Sequence, residues 1–358
     1  MTSTKNNRRS GIELLRIFAA LSVIVLHYNS EGAFAAVPAG SLNKLILFFA
    51  ESICICAVDI FILVSGYFLG KTNKRALGKI LELVLQVIVF RLLYYFAAVV
   101  LGREDFAIKS VLIKLIPNNY YVILYAALYF ISPYINILFE KLSSSGRRKY
   151  IVTMLVLFSI WPIFHDLSGE LLSKEWFGFS TISAWGNSQG FNITNFTLIY
   201  SLGAYLRFEG IPKWLGKTKN VVLCFLGCVF VILLWSIANE FMYINGLRSA
   251  WVYHNPLVIL LTMCLFACFE KIKFESNIIN ELAKASFVCF LIHGYFLPFI
   301  KIKFFVNQPF YVMVLHMVIC AILIYIMSYI AYNAYTLVLG RLFKRVDKVI
   351  VPDTEKSE

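Results

Sequence analysis

The sequence predicts an all-α fold, a polytopic transmembrane helical bundle of about ten helices with both termini in the cytoplasm, and three observations lead there. Hydrophobic residues fill 60% of the 358 positions and charged residues only 15%, with a mean hydropathy of +0.76; a water-soluble domain of this size carries far more charge. Apolar runs near the roughly 20 residues that cross about 30 Å of hydrocarbon recur from Ile12 to Leu339. The cations are also unevenly placed. Loop 30–43 has none and loop 166–190 only Lys174, whereas Lys71, Lys74, Arg75 and Lys79, then Arg147, Arg148 and Lys149, cluster on the side of the N-terminus. That is the positive-inside pattern, and it puts the N-terminus in the cytoplasm. The apolar runs are continuous rather than alternating, which excludes a membrane β-barrel.

The spans read as 12–29, 44–70, 79–101, 120–140 and 150–165, then 191–207, 220–239, 254–269, 285–300 and 309–339. The last is long enough to tilt. Residues 1–340 form one membrane domain and 341–358 a short charged cytoplasmic tail. The first apolar run contains Glu13 and Arg16 and no small-residue cleavage site follows it, unlike a secretory signal peptide. All eight cysteines fall inside spans, where small soft residues pack between helices; neither a disulfide framework nor a metal site is expected. The net charge of +13 reads as attraction of basic loops to anionic lipid headgroups, not to nucleic acid.

Ionisable residues inside a bilayer need a partner or a function. In the first span Arg16 and His27 lie eleven residues apart, about 20° from perfect alignment on one helix face and about 16 Å apart in rise. Arg16 can instead snorkel and pair with Glu13, and His27 can mark the outer interface. In the second span Asp59 admits three readings: a protonated structural carboxyl, a partner of Arg91, or an orienting group for His27. Gly66 shares its face and admits the close approach of a helix or a ligand. Glu82 and Gln86 form a polar face in the third span. His293 lies near mid-depth in the ninth. His165 and His254 fall at outer span ends and read as interfacial, and loop 166–190 reads as an external lid or substrate-facing loop.

At these residues the sequence resembles the acyltransferase-3 family of bacterial membrane proteins. Arg16 and His27, within ELLRIFAALSVIVLH, match the family's arginine, ten residues, then histidine. Phe61 through Ser65, Gly66 and Tyr67 match its second-span pattern, and NFTLIYSLGAYLRF and ASFVCFLIHGYF match its later helices. The resemblance covers nearly the whole chain. Two departures stand out: no fused extracytoplasmic hydrolase-like domain follows the last span, and the loop at Lys71 to Lys79 lacks the Arg-x-x-Arg spacing of several members.

The resemblance implies a multi-pass O-acyltransferase of the bacterial cytoplasmic membrane. It would move an acyl group, acetyl by expectation, from cytoplasmic acyl-CoA to a sugar hydroxyl of a lipid-linked or surface polysaccharide. Acyl-CoA is then a substrate, with no bound cofactor. Arg16, Arg75 and Lys79 would hold the CoA phosphates, and His27 would act as general base or carry a covalent acyl group. Asp59 or Ser65 would orient that base or stabilise the oxyanion. Gly66, Tyr67, Arg91 and His293 would complete the pocket, and Trp176, Phe177, Phe179 and Trp185 could stack on sugars or equally form an aromatic belt at the membrane interface. A carrier or flippase of glycan intermediates is the competing function; it leaves the shared face of Arg16 and His27 unexplained.

Overall fold

A computed structural model describes residues 9–241 and 249–340, and the backbone of 349–350; the rest of the 341–358 tail lies outside the described residues. Within them, nine helices are long and apolar enough to cross a membrane. A further helix, Ile193–Glu209, has 17 residues and matches the predicted sixth span, so the all-α, about ten-helix bundle holds. The one strand pairing among the described residues joins Arg75–Ala76 antiparallel to Val349–Ile350.

The sixth span is central. Phe196, Leu198, Ile199, Tyr200, Leu202 and Ala204 are all buried, and the helix packs on the second half of the second span, Ala57–Leu69. Glycines set the spacing. A Cβ on Gly66 would overlap the Tyr200 carbonyl oxygen, and one on Gly203 would overlap that of Leu63. Small residues bring backbones together in this way where apolar lipid offers no hydrophobic drive between helices. The approach that Gly66 permits is thus that of a helix.

The third, fifth, seventh and tenth spans form the rim. They expose Leu93, Val100, Val152, Leu223, Phe230, Leu315 and Ile330, an apolar surface too extensive for a water-soluble protein and suited to lipid chains.

Several spans are broken. The first runs as an α-helix from Ser10 to Tyr28, then as a π-turn, Asn29–Ala33, to Ala36. Gly32 supplies a φ of 122° in that turn, where a side chain would be strained. The second span stops at Cys54 and restarts at Ala57, and the fifth has a π-turn at Val156–Ile160 before Trp161–Leu172. Irregular backbone at membrane depth is tolerated where protein or a water-filled cavity surrounds it. Ser30, Phe34 and Ala35 of the first break line a cavity.

Candidate active site

The first span carries a polar group towards each end. Arg16 pairs with Glu13 at 3.0 Å, one turn back on the same helix. Between Arg16 and His27 on that face lie Ala20 and Val23, both buried, with Ala20 against Cys289 of the ninth span. The face is therefore aligned but closed by packing.

His27 differs. It is exposed and lines a cavity of about 580 Å³. Its ring centroid lies 4.5 Å from that of His293, so the fold brings together two histidines 266 positions apart in the chain. His293 Nδ1 lies 3.1 Å from the Cys289 carbonyl. Donation to that oxygen makes Nδ1 the protonated nitrogen and leaves Nε2 an acceptor.

The cavity walls come from the broken segments and the seventh and eighth spans. The π-turn brings Phe34 over the cavity, where its ring stacks on Trp251 at 5.3 Å and 6°; Phe48 meets Trp251 edge-on. Lys44 donates to the Phe34 carbonyl at 2.7 Å and pairs with Glu240 at 3.4 Å. Glu51, buried, accepts from Asn29 Nδ2 at 2.8 Å. Aromatic faces with a few convergent charged groups form the composition of a small polar-ligand site.

Sequence reasoning missed Lys44, Glu51 and Glu240. A signal for the first two existed: they are seven residues apart near the start of the second span, hence about 20° from alignment on one helix face.

Other expected site residues lie elsewhere. Asp59 is fully buried and accepts from Asn195 Nδ2 at 3.4 Å. Among the described residues it bonds neither His27 nor Arg91, whose guanidinium donates to the Ile116 carbonyl. Asp59 therefore belongs to the contact between the second and sixth spans, and Arg91 ties the third span to the loop after it.

Ser65 donates to Phe61 O at 2.9 Å and lies 3.4 Å from the Tyr125 hydroxyl. Tyr67, two residues on, accepts from Arg9 at 3.0 Å, which places this stretch at the Arg9 end of the first span. Helical rise from Arg9 then separates Ser65 from His27 by roughly 20 Å, too far for a shared oxyanion.

Arg75 requires the clearest correction. It is 1% exposed, and its guanidinium donates to Ser132 Oγ, Thr72 O and Oγ1, Lys74 O and Tyr200 Oη. A guanidinium so occupied has no edge to offer a phosphate; it latches the loop after the second span onto the fourth and sixth. Lys79 remains exposed. Arg9 and Arg207 flank the Tyr67 ring at 5.9 and 5.4 Å and add cations at this end that the motif comparison did not single out.

The bundle thus sets a histidine in the lining of a cavity at one end of the first span and gathers cations towards the other. A family model described as an acyltransferase domain matches residues 9–333. The chain belongs to the acyltransferase-3 family and is a multi-pass membrane acyltransferase. No curated protein and no solved structure matches it.

Proposed function

We propose that the chain transfers an acyl group, acetyl in the simplest case, from cytoplasmic acyl-CoA to a hydroxyl of a lipid-linked or surface polysaccharide. The setting is the cytoplasmic membrane of a bacterium. The observation that carries this reading is His27, which lines an outer cavity while sharing a helix face with Arg16 at the inner end.

The acceptor sugar occupies the cavity, its hydroxyls bonded to Lys44 and Glu51 and its apolar face against Phe34, Phe48 and Trp251. His27 takes the proton from the attacking hydroxyl as its oxygen adds to the thioester carbonyl. The tetrahedral adduct collapses, the carbon–sulfur bond breaks, and the CoA thiolate leaves with the proton that His27 held. His293 positions the His27 ring.

Arg16 and Lys79, with Arg9 and Arg207, hold the CoA phosphates through charge-assisted hydrogen bonds. The pantetheine arm then reaches His27 by parting the first and ninth spans where Ala20 meets Cys289. Closure of that seam in the free protein keeps protons and water from crossing.

The test pairs His27→Ala with Arg16→Ala at matched membrane levels, measuring transfer from labelled acetyl-CoA to glycan and binding of the donor. Loss of transfer in His27→Ala with donor still bound, and weakened donor binding in Arg16→Ala, is the expected division. Full transfer by His27→Ala would refute it, and a glycan carrier would leave labelled acetyl-CoA unbound and intact.

A further inference from the structure

A second cavity, of about 610 Å³, lies under loop 173–190 on the outer side. Gln189 lines both cavities. Its backbone is held in the left-handed region, φ 52°, and its carbonyl accepts from the amide of Tyr253 at 3.0 Å. Tyr253 lines the cavity of His27, and the next residue back, Val252, lines the other. Gly190 makes this seam possible, because a Cβ there would lie 2.8 Å from Tyr253 Cβ. The two cavities are therefore separated by little more than one residue. The Gln189 amide side chain, exposed, has no hydrogen-bond partner among the described residues. A left-handed conformation at a non-glycine residue is strained and tends to persist where it serves a ligand.

The second cavity has a polar floor and an aromatic rim. Asp166 is held from three sides: His165 Nδ1 at 3.0 Å and Asn187 Nδ2 at 2.6 Å on one oxygen, His254 Nε2 at 3.0 Å on the other. Each carboxylate oxygen has about two lone-pair sites, so Oδ2 retains acceptor capacity. At the rim Phe177 and Trp185 meet edge to face at 4.9 Å and are 69% and 89% exposed. Lipid contact would account for the rings alone, whereas Asp166, besides tying His165, Asn187 and His254 together, adds an acceptor to the lining of the same cavity. A pyranose, with an apolar C–H face and a hydroxyl edge, uses both.

We infer that the acceptor is an oligosaccharide held across both cavities, one sugar beside His27 and the next under loop 173–190, with Gln189 bonding the linkage between them. Each volume falls within the about 300–1,000 Å³ typical of small-ligand pockets. This rests on the acyl-transfer reading above and adds that recognition extends beyond the sugar that reacts.

The test uses surface polysaccharide from the producing cells, stripped of ester groups with mild base and cut by acid into fragments of one to about six sugars. Transfer from labelled acetyl-CoA is measured for each fragment. Binding of each is measured separately on His27→Ala protein by tryptophan fluorescence. Affinity and kcat/KM are expected to rise at least about tenfold from one sugar to two or three and then level off. In Trp185→Ala/Phe177→Ala and in Gln189→Ala the ratio of long to short fragments should fall towards one.

No length dependence in the unaltered protein, or a ratio kept in both variants, overturns the inference. If no fragment is acylated but His27→Ala still binds longer fragments better through Trp185, the second subsite stands and the transfer reading fails.

Discussion

The Arg16 end of the first span is packed and ion-paired, whereas its His27 end opens on a cavity. Arg16 is neutralised by Glu13, and Ala20 and Val23 above it are buried. His27 faces open space beside His293, Lys44, Glu51 and Trp251. The difference follows from backbone continuity. The helix is regular to Tyr28 and breaks at the π-turn immediately afterwards, so neighbouring helices close on its inner part and cannot close on its outer part. Two residues on one face of one helix thus meet different environments: His27 lines an open cavity, and the face above Arg16 is closed by packing.

Substitutions should separate the two ends. The largest effect belongs to His27→Ala, for which about 10²- to 10⁴-fold lower acyl transfer is expected, the range for losing a general base; assay at matched protein levels checks it. Next comes Gly203→Leu, which drives a side chain into the Leu63 carbonyl and should abolish accumulation of folded protein, read by detergent-solubilised monodispersity.

Glu51→Gln should lower acceptor kcat/KM by about tenfold or more, since hydrogen bonds to charged groups contribute about 1.5–3 kcal/mol. Donor affinity, measured on the same sample, should stay within about twofold. At the inner end, Arg75→Lys loses the planar fork that bonds Ser132 and Tyr200 and should cost about 1–3 kcal/mol of stability, seen as a lower melting temperature. Its effect on donor affinity should be smaller than that of Arg16→Ala. The opposite order would restore Arg75 as a phosphate ligand and erase the contrast between ends.

Local features of the chain were legible. Span positions follow from apolar length, and the shared face of Arg16 and His27 follows from helical arithmetic on one uninterrupted helix. The pairing of Arg16 with Glu13 was one of two readings the residues allowed. His293 was singled out without its partner, because no local rule brings the ninth span to the first.

The breaks were not legible. Ile55–Cys56 is apolar and reads as continuous helix, and Asn29–Ala33 reads as the end of one. For Asp59 the structural reading among the three fits its buried place against Asn195. The role beside His27 that the resemblance implied for Ser65 could not be checked from sequence, because neighbours are chosen by packing, here by Gly66 and Gly203. His165 and His254 read as interfacial singly; only tertiary structure puts Asp166 between them.

The central claim is that acyl groups enter at the Arg16 end and leave on a sugar at the His27 end. Sealed inside-out vesicles test it directly, with labelled acetyl-CoA added outside, at the cytoplasmic face, and glycan acceptor trapped within. The account predicts label on the enclosed glycan with the unaltered protein and none with His27→Ala. Label confined to acceptor on the outside of the vesicles, or equal lumenal labelling in His27→Ala, would contradict it.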